Sequence, residues 1–373
     1  MARRPVLLVL ATLACGCDAT SDASKAGVAA AGGSSADAAS SAGASAGGAS
    51  AMPGSGATGA TEGTGPSPLD PTGAVATGGS GAGDDGTDSG TLSSPCLAFS
   101  EPEAVGAIEE PALDQLSGLV ASRTQPGVLF AHEDSTGAPI LYALDTSGRA
   151  LARFTLAGAP NFDWEDIALA SGPSGPELYI GDIGDNAVRT GPAARDELQV
   201  IRLPEPTVAL DGAPSEQTLT EFDVLRLRYP EGVHESETLL VHPLTNDIVL
   251  VTRSSSGDSR VFRAPGSTPR DTLTTLEEIG RIAFDPSGQG AIATAGDISP
   301  SGDRVLVRTY TRVYVWAAPM GEALADVFRG APVVQDFAVE PQGEGITFSA
   351  DGQSWIAAGE QEPTLYRAAA RCP

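Results

Sequence analysis

The sequence predicts an all-β fold: a β-propeller of five four-stranded blades, its ring closed by strands from both termini in one blade. Three observations predict it. Short β-type patterns recur five times in a fixed order. The two ends of the repeated region supply complementary parts of one unit. A cysteine stands at each of those ends. Four short strands per repeat, repeated radially, describe a propeller.

The first pattern is a small or acidic pair before an aliphatic residue: Ser117-Gly118-Leu119, Glu165-Asp166-Ile167, Glu237-Thr238-Leu239, Gly296-Asp297-Ile298 and Glu344-Gly345-Ile346. An apolar run follows about ten residues later, as in Leu178-Tyr179-Ile180 and Val305-Leu306-Val307. A third run often carries an aromatic, as in Val313-Tyr314-Val315-Trp316. Turn sequences such as Ser299-Pro300-Ser301-Gly302-Asp303 separate the runs. Fourth strands are weaker, as at 152–156 and 222–227. The aliphatic residues of the first pattern stand 48, 72, 59 and 48 residues apart. An insertion around 204–217 accounts for the long second spacing; a degenerate sixth blade hidden there is the alternative. The last unit supplies three strands, and 103–108, ahead of the first unit, supplies its missing outer strand. Cys96 and Cys372 then fall on adjacent strands, where a disulfide would clasp the ring.

The chain before this region has a different character. Arg3 and Arg4 precede an apolar stretch at 6–14, too short to span a bilayer, which ends in Ala14-Cys15-Gly16-Cys17. This reads as a lipoprotein signal peptide over 1–17, with Cys17, or Cys15, bearing the lipid. Residues 18–95 are Ala, Gly, Ser, Thr and Pro with scattered acids and no hydrophobic periodicity, a disordered linker. As a flexible coil, its ~75 residues span on the order of 50 Å. The expected domains are therefore signal peptide 1–17, linker 18–95 and propeller 96–373. The protein is expected to be exported and lipid-anchored at a bacterial cell envelope, touching the membrane through that anchor only, and to be a monomer.

Charge narrows the function classes. The 373 residues carry 22 Lys+Arg against 48 Asp+Glu, a net charge of -26. Nucleic acid is excluded as a partner, because phosphate neutralisation needs clustered basic residues. Three histidines make no His-rich metal centre.

Topology points to the site. The first strand of each blade lines the channel, so its start and the end of the second strand share one face. That mouth would carry Glu165, Asp166, Glu237, Asp297 and Glu344. Around it would lie the 132–134 segment with His132, the 181–186 loop with Asp182, Asp185 and Asn186, and Arg253, Arg308 and Tyr310. Trp164, just before the acidic pair, is the candidate for stacking on a ligand. Converging carboxylates repel unless protons or a cation intervene. Oxygen donors without a Cys/His cluster point to Ca²⁺, so Glu165, Glu237, Asp297 and Glu344 are the candidate metal ligands.

At the Glu-Asp-Ile, Glu-Gly-Ile and Gly-Asp-Ile-Gly-Asp-Asn segments the chain resembles calcium-binding propellers of the phytase-like "esterase-like" family, and more distantly gluconolactonase-like propellers. The resemblance covers about 110–370. It implies Ca²⁺ on the axis, held by Glu165, Glu237 and Glu344, and hydrolysis of phosphoesters or lactones. Ser117 and Gly296 stand where the pattern asks for acids, and the chain's single lysine, Lys25, lies outside the domain, so phytase activity does not follow. The first expectation is a tethered module that binds a protein, a glycan or a small anionic ligand. The alternative is a Ca²⁺-dependent hydrolase of a small anionic ester or lactone.

Overall fold

The computed structural model describes residues 94–372, apart from 135–136, 187–193, 288, 339, 341 and 362–363. The expected signal peptide, the lipid-bearing Cys17 or Cys15, and nearly all of the linker lie outside these residues.

Five antiparallel blades form the ring. Blade I holds β2 (Leu116–Ala121), β3 (Val128–Glu133), β4 (Ile140–Asp145) and β5 (Ala150–Leu156). Blade II holds β6 (Trp164–Gly172), β7 (Gly175–Asp182), β8 (Leu198–Pro204) and β10 (Asp223–Arg228). Blade III holds β11 (Ser236–Val241), β12 (Ile248–Thr252), β13 (Asp258–Ala264) and β15 (Glu277–Ala283). Blade IV holds β16 (Ala293–Ile298), β17 (Arg304–Thr309), β18 (Arg312–Ala317) and β19 (Val333–Asp336), with a short helix α1 (Leu324–Val327) before its last strand. Blade V takes β20 (Gly343–Phe348), β21 (Ser354–Gly359) and β22 (Thr364–Ala369) from the C-terminus and β1 (Glu103–Ala107) from the N-terminus. The ring therefore closes as the sequence predicts, with five blades rather than six. Cys96 and Cys372 are disulfide-bonded across it, with Cα atoms 5.6 Å apart.

The insertion in the second repeat does not build a blade. Its strand β9 (Ser215–Leu219) returns to blade I and pairs in parallel with β5. A shorter strand, β14 (Thr274–Thr275), covers the edge of β10 in the same way. Each blade edge so covered has fewer unpaired backbone groups open to another chain.

Hydrophobic burial holds the ring at its five seams. One apolar cluster fills each: Phe130 and Trp164 between blades I and II, Tyr179 and Phe262 between II and III, Val249 and Trp316 between III and IV, Phe348 and Trp355 between IV and V, and Leu129 and Ile356 between V and I. The inner strands β2, β6, β11, β16 and β20 are buried along nearly their whole length and pack on one another around the axis. Each fully buried large aliphatic or aromatic side chain contributes roughly 1.5–3 kcal/mol.

One irregularity recurs in every inner strand. Pairing with the second strand skips one residue near the start: Ser117 in β2, Glu165 in β6, Glu237 in β11, Thr294 in β16 and Glu344 in β20. A bulge of this kind leaves the extra residue out of the ladder and re-aims its side chain. In blade IV the bulged residue is Thr294. The sequence alignment of Gly296-Asp297-Ile298 with Glu165-Asp166-Ile167 is thus two residues out of register.

Candidate functional site

The bulges build a polar cavity of about 230 Å³ at the channel mouth. Four of the five bulged residues line it: Ser117, Glu165, Glu237 and Glu344. Leu116, Asp134 just after β3, Asn186, Arg253, Tyr310, Gln342 and Glu360 complete the lining. The fifth, Thr294, instead donates its hydroxyl to the Gly343 carbonyl at 2.7 Å.

The carboxylates are packed closely. One oxygen from each of Asp134, Asp163 and Glu165 lies within 4.8 Å of the others, and the same holds for Glu165, Glu235 and Glu237. Glu165 belongs to both groups. Its side chain is 5% exposed, and among the described residues no hydrogen bond or ion pair reaches its carboxylate. Burial pushes its carboxyl well above the usual carboxylate range, and the charges of Asp134, Asp163, Glu344 and Glu235 push it the same way. Asp163 is raised to about 6 by burial and by Asp134. Glu344 is raised to about 8 by burial, against the pull of Arg308 and Arg253.

Arg253 is the one cation lining the cavity among the described residues. It forms an ion pair with Glu237, lies 3.8 Å from Glu235, and donates to the Tyr310 hydroxyl at 3.2 Å. The blade III carboxylates are thus already neutralised in part.

Two oxygens bound at 2.3–2.6 Å to one Ca²⁺ lie at most about 5 Å apart, so the 4.8 Å spacing suits one ion. The donors are all oxygens, which suits a hard cation. The acidic groups at this mouth can hold a metal ion.

The remaining predicted residues divide between this cavity and the scaffold. Glu165, Glu237, Glu344, Asn186, Arg253 and Tyr310 come together as described. Asp297 is a correction: it does not line the cavity. Its carboxylate accepts from Arg123, from the Thr347 hydroxyl and from the Phe348 and Ile298 amides. It lies three residues past the blade IV bulge and staples inner strands together. Asp166 does the same for Ile167, Leu239 and Gly296.

Trp164 is a second correction. At 1% exposed it packs in the seam between blades I and II, its indole donating to the Pro160 carbonyl, and offers no stacking face. Arg308 is a third. It is fully buried, paired with Glu340 at 2.8 Å, donates to the Gly345 carbonyl at 3.0 Å, and lies under the bulge rather than at the mouth. His132 occupies the equivalent place in blade I, paired with Gly118 and edge-on to Trp164. Burial lowers it to about 4, and a Cβ at Gly118 would collide with its ring. Asp182 and Asp185 also lie outside the lining. Asp182 accepts from the Asp163 amide at 2.9 Å and pairs with Arg195; Asp185 accepts from the Arg195 amide. They hold Asp163 and the 181–186 loop in place.

Sequence reasoning missed Asp163 and Glu235. A signal was present. Each stands two residues before a bulged glutamate, in Asp163-Trp164-Glu165 and Glu235-Ser236-Glu237, and alternate strand residues share a face.

No protein-family model matches the chain, and no curated protein matches it. Among solved structures it is similar to a gluconolactonase from Xanthomonas campestris, at 16% identity and a TM-score of 0.39, over 69% of this chain and 72% of that one. The strand order above, not this likeness, establishes the propeller.

Proposed function

We propose that the channel mouth is a divalent-cation site, and that with the cation bound it hydrolyses a small polar ester or lactone. One observation carries the reading: the Glu165 carboxylate, buried and without a partner among the described residues, faces a cavity where the charges acting most strongly on it are other carboxylates. A buried carboxylate in such company calls for a proton or a cation. Ca²⁺ suits the all-oxygen donor set and, when bound, would polarise a carbonyl and lower the pKa of bound water.

The chain's own residues supply the rest. The cavity volume is below the usual 300–1,000 Å³ of drug-sized ligand sites, which fits a small ligand better than a protein or glycan surface. Its polar lining binds and orients hydroxyl-rich groups. Arg253, fixed by Glu237 and Tyr310, presents positive charge to a developing oxyanion. Glu344, raised to about 8, can hold or release a proton near neutral pH. Export and a lipid anchor on Cys17, or Cys15, belong to the same proposal and rest on the N-terminal sequence.

The test is turnover of a panel of small esters and sugar lactones by the full chain, with Ca²⁺ and with chelator. Hydrolysis that chelator abolishes, and that Glu165→Gln lowers at least a hundredfold, is the expected result. Calcium binding without turnover of any panel member would leave a binding module. No calcium binding and no turnover sinks the reading.

A further inference from the structure

We propose that the mouth takes a substrate that carries no negative charge, and that Glu360 enforces this preference. The substrate class so named rests on the hydrolase reading above, and it departs from the small anionic ligand expected from the sequence.

Charge at the mouth is one-sided. Asp134, Glu165, Glu237, Glu344 and Glu360 line the cavity against a single guanidinium among the described residues, that of Arg253. Asp163 and Glu235 stand close by, each with an oxygen within 4.8 Å of one from Glu165. Arg253 is not a free anchor for an anion. It forms an ion pair with Glu237, lies 3.8 Å from Glu235 and donates to the Tyr310 hydroxyl at 3.2 Å. Even so, the second oxygen of buried Glu237, Oε2, has no hydrogen-bond partner among the described residues. A divalent cation at the mouth would offset two negative charges and Arg253 a third, which leaves the lining with an excess of acid. A carboxylate or phosphate on the resting substrate would enter against that excess, whereas a hydroxyl or an ammonium group would not.

Glu360 differs from the bulged glutamates. Glu165, Glu237 and Glu344 are buried on the inner strands. Glu360 stands just past the end of β21 and is half-buried. Its amide donates to the Gln342 carbonyl at 2.8 Å, which holds it beside the mouth. Among the described residues no hydrogen bond or ion pair reaches its carboxylate, and its charge acts across the cavity wall on Glu344. An unpaired charge at the opening of a narrow polar cleft acts on every ligand that enters, because the protein walls concentrate its field. Glu360 therefore sorts ligands by charge without having to touch the reacting atoms.

The experiment compares three methyl esters that differ only in the end group of the acyl chain: methyl pentanoate, methyl 4-aminobutanoate as its ammonium form, and monomethyl glutarate. Hydrolysis by the full chain with Ca²⁺ is followed near neutral pH. In the wild type, kcat/KM for the glutarate ester should lie at least tenfold below that for the pentanoate ester, and the ammonium ester should equal or exceed the latter. High salt should narrow the gap, since it screens a half-exposed charge. Glu360→Gln should narrow the glutarate-to-pentanoate gap at least threefold, through KM rather than kcat, and Glu360→Lys should narrow it further; the second variant serves if the first does not fold. Glutarate ester hydrolysed as efficiently as pentanoate ester by the wild type overturns the substrate class. A gap that survives in the folded Glu360 variants overturns the role of Glu360. If none of the three esters is hydrolysed, it is the ester reading itself that fails.

Discussion

Replacing Glu165 by glutamine should stabilise the cation-free protein and destabilise the calcium-bound one relative to the wild type. The side chain is 5% exposed and every charge that acts strongly on it is another carboxylate. Without a cation, the folded wild type must either ionise this group in a poorly hydrated place or capture a proton from a dilute pool. An effective burial penalty of several kcal/mol per ion applies to the first course. Glutamine has the same shape and no charge, and its amide can donate to the surrounding carboxylates. A gain on the order of 2 kcal/mol at pH 8 is expected, or about 4–8 °C in Tm for a domain of this size. Calcium reverses the order. At about a hundred times its dissociation constant it stabilises the wild type by roughly 2.7 kcal/mol, and the variant by little. Thermal melts of both proteins in chelator and in excess Ca²⁺ give the four values needed. A variant that melts below the wild type in chelator, or gains as much from calcium, would refute the argument from an unpartnered charge.

Two further predictions concern the surroundings of the mouth. Glu344 is raised from 4.5 to about 8 in the folded protein, so its contribution is fully present below about pH 4.5 and is lost as pH rises through 8. At about 1.36 kcal/mol per unit this one group removes on the order of 4 kcal/mol by pH 8; urea unfolding in chelator should show stability falling from pH 5 to 8, and a flat profile would contradict it. Arg308→Ala should cost about 3–5 kcal/mol, because it leaves Glu340 buried without its guanidinium; a loss under 1 kcal/mol by the same assay would mean that the pair is not closed off from water.

The fold was legible because its causes are local and repeated. Strand-forming runs between turn sequences show period and order directly, and the orphan strand 103–108 had one unit to complete. The site was legible only in part. Glu165, Glu237 and Glu344 announced themselves by recurrence. Asp297 misled because it imitates the blade II sequence, whereas its position relative to the bulge is two residues deeper than that of Asp166. A bulge depends on how two strands pair, which a single strand's sequence does not display. Trp164 and Arg308 misled for a related reason. Their neighbours in sequence reach the mouth, but alternation and the skipped residue turn these two side chains into the seams.

The bulges also explain how a fold can keep such an unfavourable group of charges together. Two carboxylates 4.8 Å apart repel by about 3–4 kcal/mol at an effective dielectric of 20. Against that stands the seam between blades I and II, where Phe130, Phe154, Trp164 and several leucines are almost wholly buried, each contributing roughly 1.5–3 kcal/mol. One seam outweighs a repelling pair several times over, and the ring has five. The scaffold can therefore hold the acids in place before any ligand arrives. Because the acids stay charged or protonated at the scaffold's expense, whatever neutralises them binds to a site already shaped. A cation that enters gains attraction to several carboxylates without having to order them, which is the condition under which a small polar cavity binds tightly.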